Sequence, residues 1–184
     1  MWHVPDMPKA LDLADFLATP EPAGLGPGPR AGVQSQSTLE KQLNPLLAIL
    51  GVPAESSQLI QALILLWHDH LEAAHVIAQN AQSADGAFVH GIMHRREPDF
   101  GNAAYWFRRA GLHPAFEEIA SGSAPLLQGQ PDPILKLVRN GQWDPFAFID
   151  ACEKSSSSEE RQAVLREVQR IEFTALLRHL RHTA

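Results

Sequence analysis

His68, Glu72 and His75 stand at i, i+4 and i+7, and after a short break His90, His94 and Glu97 repeat that spacing. Imidazole nitrogens and carboxylate oxygens hold zinc, iron, manganese or nickel. The same groups take up and return protons near neutral pH. A helix advances about 100° per residue, so each set falls on one face. If the two segments form an antiparallel hairpin, residues equidistant from the turn meet: His75 with His90, Glu72 with His94, His68 with Glu97. Five of the nine histidines lie between residues 65 and 100, inside an otherwise apolar stretch.

Three readings of this constellation stay open. It could be a buried ladder in which carboxylates accept hydrogen bonds from imidazoles, because an unpaired buried charge costs several kcal/mol. It could be a site for one or two divalent transition metals, with ligands drawn from His68, Glu72, His75, His90, His94 and Glu97. Glu72-Ala73-Ala74-His75 is a Glu-x-x-His pair of the kind that helical bundles use for metals. It could also be a metal-free pocket in which Glu72, Glu97 and His94 do acid–base work on a small anionic substrate. Arg95 and Arg96 project away from the histidine stripe, either as surface or ion-paired residues or as an anion clamp that faces the substrate. A zinc protease is disfavoured, since "HGIMH" has glycine where H-E-x-x-H places its general base. Asp69 and His70 point elsewhere on the helix and read as structural or exposed.

These residues need helices to position them. From Ser56 to about Asn80 the chain reads as one helix, apolar on most of its circumference and therefore central. A second helix runs from Asp85, a cap candidate, to Pro98. Residues 102–111 close a short helix on Arg108, Arg109 and Gly111, with Asn102 as its cap. His113 and Asp144 each precede a proline at a helix start. Pro131 and Pro133 lead into a short helix over "ILKLVRN". Ser157 and Glu160 have capping-box spacing before the C-terminal helix, whose last turn carries Arg178, His179, Arg181 and His182. No sustained alternation predicts strands. The fold class is all-α, a single-domain multi-helix bundle around a buried central helix and an antiparallel helical hairpin.

Residues 1–18 read as an N-terminal helical arm, with Leu11, Phe16 and Leu17 toward the core. Residues 19–37 read as an extended connection, since four prolines and four glycines in that stretch block helix and strand alike. Residues 38–184 form the all-α domain, with Pro45 kinking or restarting its first helix. The net charge of −6 offers no basic field for nucleic acid or an anionic membrane surface. The single Cys152 excludes an internal disulfide and fits a reducing compartment. With no leader pattern at the N-terminus and no apolar run long enough to span a bilayer, the expectation is a cytoplasmic protein. Tyr105, Trp106 and Phe107 cannot share one helix face, so at least one rims a cavity or a contact surface, which leaves room for a homodimer or another protein partner.

The strings "W-H-D-H-L-x-x-A-H" and "D-G-x-F-V-H-G-I-M-H-R-R-E-P-D-F-x-N-A-x-Y-W-F" resemble a family of small uncharacterised proteins of bacteria and fungi. The resemblance covers roughly residues 65–116. It implies that this segment is one unit, and it implies no activity, cofactor or partner.

Overall fold

The computed structural model describes residues 12–183. Eight α-helices occupy them: α1 (Gln36–Leu50), α2 (Ala54–Trp67), α3 (Leu71–Ala78), α4 (Ala84–Arg96), α5 (Phe100–Ala110), α6 (Ala115–Leu127), α7 (Pro145–Glu153) and α8 (Glu159–His182). Short 3-10 turns lie at Leu13–Leu17, Pro133–Leu135 and Ser155–Ser157. The helices pack as one bundle, with α2 contacting α1, α3, α4 and α8.

The apolar circumference of α2 puts it at the centre. Leu59, Ile60 and every residue from Ala62 to Trp67 are buried. Each fully buried leucine or isoleucine contributes on the order of 1.5–3 kcal/mol. Trp67 packs edge-on against Phe173 of α8, with centroids 5.2 Å apart.

The expected single helix over 56–80 is two helices. It breaks at His68-Asp69-His70, where Asp69 takes a left-handed φ of 65°. Aspartate tolerates that region better than most residues, and here partners distant in sequence hold it. Arg30 Nη1 and Arg96 Nη2 each donate to Asp69 Oδ1 at 2.6 Å, and the Arg30 backbone N–H donates to Oδ2 at 2.9 Å. No helical periodicity carries that information.

The same network ties down the Pro/Gly-rich stretch. Arg96, wholly buried, donates to the carbonyls of Gly24, Gly26 and Leu66. Gln169 of α8 donates to Ala23 and Gly24. Residues 19–35 do lack helix and strand, yet they wrap the bundle as a strap and bury Ala23 completely. In the N-terminal turn Leu13, Phe16 and Leu17 are buried, with Asp12 as its cap. Leu11 lies outside the described residues.

Other boundaries differ for local reasons. Helix α1 runs through Pro45 without ending. Ser83, Asp99 and Ser158 cap α4, α5 and α8, in place of Asp85, Asn102 and Ser157. Asp144 caps α7 as expected, accepting from the N–H groups of Phe146 and Ala147. The expected helix over "ILKLVRN" is instead a two-stranded hairpin, β1 (Val138–Arg139) and β2 (Gln142–Trp143). Asn140 and Gly141 both take positive φ between the strands, the turn that an Asn-Gly pair favours. No helix among the described residues is long and apolar enough to cross a membrane.

Candidate functional site

Helices α3 and α4 form the expected hairpin, and its first rung is present. His75 and His90 meet edge-to-face with ring centroids 5.8 Å apart. His75 also lies 6.0 Å from His94, and His90 lies 6.2 Å from His94, its neighbour one turn along α4. The three imidazoles thus gather between the two helices. His90 and His94 are buried and His75 is half-buried.

The remaining rungs do not form. His68 sits at the break after α2 and turns toward the N-terminal segment. Its Nδ1 accepts from the Gln34 N–H at 3.1 Å, and its Nε2 lies 2.9 Å from the Phe16 carbonyl. Glu97 lies beside His94 of its own helix, with Oε2 3.2 Å from Nδ1. Glu72 is exposed. The break between α2 and α3 explains the displacement of His68, because it takes that residue off the face that carries Glu72 and His75.

Arg95 does not face a substrate. It is fully buried and pairs with Glu172 of α8, Nη1 to Oε1 at 2.9 Å and Nη2 to Oε2 at 2.5 Å. Its guanidinium also stacks 4.2 Å over the Phe148 ring. Burial alone would make Arg95 less basic, but the Glu172 charge outweighs it and raises the group above its ordinary range. Asp69 and His70 are structural: Asp69 in the arginine network, His70 with Nε2 2.8 Å from the Gln34 carbonyl. Tyr105 is exposed, Trp106 half-buried and Phe107 buried, the division that three consecutive aromatics require.

Burial pushes His90 down to about 4, and it also lowers His94 although Glu97 and Asp99 oppose it. Both are therefore neutral imidazoles at neutral pH. Trp106 lies flat against His90 at 4.1 Å. Gly91, between the two α4 histidines, has a packing role: a Cβ there would come within 2.6 Å of the Phe107 ring.

A second constellation comes from residues that helical periodicity treated separately. Asp85 in the first turn of α4, His113 before α6 and His179 in the last turn of α8 converge. His113 Nε2 and His179 Nε2 lie 2.7 and 2.9 Å from the same Asp85 Oδ1. Among the described residues these three form a group that could hold a metal ion, with one ligand atom from each, all within 4.8 Å of one another. His113 is buried, and Asp85 and His179 are half-buried. Burial would raise the Asp85 carboxyl, but the His113 hydrogen bond and the neighbouring imidazoles outweigh it and hold Asp85 below its ordinary range.

The tautomer of His113 follows from its other nitrogen. Nδ1 accepts from the Ala115 N–H at 3.2 Å, so in the neutral ring the proton sits on Nε2 and is donated to Asp85. A cleft of about 460 Å³ opens beside His179, with Pro114, Glu118, Arg178 and His182 on its walls.

Sequence separation hid this group, since Asp85 lies 28 residues from His113 and 94 from His179. The available signals were a His-Pro helix start and a terminal histidine, and both have ordinary capping explanations. No family model, curated protein or solved structure matches the chain.

Proposed function

We propose that this protein binds one divalent first-row transition metal through Asp85, His113 and His179 and acts as a metal-dependent enzyme on a small anionic substrate. The observation that carries the reading is the convergence of two imidazoles and one carboxylate from three separate elements. Two histidines and a carboxylate leave coordination positions open, as catalytic zinc sites and non-haem iron(II) sites require. A metal held there would polarise a bound water or a substrate oxygen. Arg178 and His182 give the adjoining cleft a basic edge suited to an anion, with Arg178 at present held by Glu118 at 2.5 Å.

Metal–ligand bonds of about 2.0–2.1 Å at tetrahedral angles separate ligand atoms by roughly 3.3 Å. The two contacts to Asp85, 2.7 and 2.9 Å, are hydrogen-bond distances within a group spanning up to 4.8 Å, so loading would lengthen them by about half an ångström and draw the two imidazole nitrogens together. It would also move the His113 proton to Nδ1 and break the Ala115 bond. Together with the two bonds to Asp85, three hydrogen bonds would be given up, a cost of roughly several kcal/mol that the metal–ligand bonds must exceed.

One observation favours a second reading. Because Ala115 fixes the proton on His113 Nε2, the group is already satisfied as a hydrogen-bonded clasp joining α4, α6 and α8. Elemental analysis separates the two. Untagged protein purified without chelator carries close to one equivalent of zinc or iron under the first reading, and the His179→Ala and Asp85→Asn variants lose it. Protein that stays metal-free and ignores added zinc, iron(II), manganese and nickel is a clasp.

A further inference from the structure

The imidazoles between α3 and α4 are a different kind of cluster from the Asp85 group. There, a carboxylate meets two N–H groups and satisfies them. His90 Nδ1 lies 3.2 Å from the Gly86 carbonyl, so Nδ1 carries the proton and Nε2 keeps its lone pair. His94 Nδ1 faces the Glu97 carboxylate at 3.2 Å, off the direction of a hydrogen bond, and is otherwise a buried nitrogen without a partner. His90 has the arrangement of a metal-ligating histidine, with one ring nitrogen oriented by a carbonyl and the other free for the ion.

We propose that His75, His90 and His94 form a second, nitrogen-rich site for a first-row transition metal, with Glu97 positioning His94. The rings would have to close around such an ion. Three imidazoles on one tetrahedral ion have centroids roughly 5 Å apart, given metal–nitrogen bonds of about 2.0–2.1 Å. The observed separations of 5.8, 6.0 and 6.2 Å need a closure of about 1 Å. Half-buried His75 sits on the exposed side and is the ligand that can swing.

Neutral imidazoles without a thiolate select copper(II), nickel(II) and zinc(II) over magnesium and calcium. Histidines at i and i+4 on α4 supply one edge of the site, the spacing that helical zinc sites use. The site is separate from the first. Asp85 precedes His90 by five residues, about 140° around α4 and on another face. Trp106, stacked on His90, gives it a built-in optical reporter.

The test uses full-length protein carrying His179→Ala, so that the first site is disabled, loaded with one equivalent of copper(II) chloride. The expected result is a copper electron paramagnetic resonance spectrum with nitrogen hyperfine structure, together with quenched indole emission. Adding Trp106→Phe removes most of that quenching. In the same background His75→Ala weakens copper binding more than about tenfold, and Glu97→Gln, which leaves every nitrogen in place, weakens it about 10- to 100-fold. His75 is half-buried, so its replacement by alanine leaves the fold intact, and circular dichroism verifies that. A spectrum without nitrogen coupling overturns the proposal. So does copper affinity unchanged in His75→Ala. If the His179→Ala protein binds copper as described while wild type lacks metal at the Asp85 group, the second site stands and the first falls.

Discussion

Asp85 accepts the His113 Nε2–H at 2.7 Å on the same oxygen that lies 2.9 Å from His179 Nε2. One carboxylate therefore links the start of α4 to the segment before α6 and to the end of α8. Asp85→Asn keeps the shape but replaces a charged acceptor with a neutral one. Hydrogen bonds to charged groups contribute about 1.5–3 kcal/mol. Metal-free Asp85→Asn is expected to unfold at lower denaturant with an unchanged m-value, by a stability loss within that range. Equal midpoints for the variant and wild type would show that the group contributes nothing to the apo fold.

Arg96 and Asp69 predict a larger effect, because both side chains are almost wholly buried. Burial brings the Arg96 guanidinium down to about 10, against the pull of Asp69. Burial would raise Asp69, but the bonds from Arg96 and Arg30 outweigh it and leave that carboxyl below its ordinary range. Removing one partner of such a pair costs about 3–5 kcal/mol. Arg96→Ala should lose that much, and hydrogen exchange should speed up at Gly24 and Gly26 as the strap loses its anchor. Exchange unchanged along the strap would mean that Gln169 holds it alone.

Gly91→Ala tests the packing of α4 on α5. The added methyl would meet the Phe107 ring at 2.6 Å, and overpacking of this kind costs about 1–3 kcal/mol. Alanine is otherwise the better helix former by roughly 1 kcal/mol, so a stabilised variant would show that the two helices are looser than described. The expected measurement is a lower melting temperature.

His68 predicts how stability responds to acid. Burial lowers its pKa most, with Arg30 and His70 adding to the effect and the Phe16 carbonyl and Asp69 opposing it. The unfolded chain then takes up a proton near 6.5 that the folded chain refuses. Stability from this group is complete above 6.5 and falls as pH drops below it. Asp69 stays ionised through that range. Denaturation at pH 7, 6 and 5 should show this loss, and His68→Gln should flatten the slope. An identical slope in the variant would assign the loss to other groups.

The sequence made the local part of this molecule legible. The apolar girth of α2, the α3–α4 hairpin and the meeting of His75 with His90 all follow from spacings inside one short segment. The break at Asp69 did not follow, because Arg30 and Arg96 impose it through contacts 39 and 27 residues away. His68 was misplaced for that reason alone. Local spacing offers Arg95 to a substrate because Glu172, its partner on α8, lies 77 residues away. The Asp85 group was invisible for the same cause: three residues with ordinary capping explanations acquire a joint meaning only when α8 returns to α4. The Asn140-Gly141 turn was the one missed signal that a local reading could have caught.

Metal binding by Asp85, His113 and His179 is open to a crystallographic test. Crystals of untagged protein equilibrated with zinc, with diffraction recorded above and below the zinc absorption edge, test it most directly. An anomalous peak is expected within bonding distance of all three side chains, absent from His179→Ala crystals treated alike. A map with no peak there, and with His113 Nδ1 still accepting from Ala115, would contradict it.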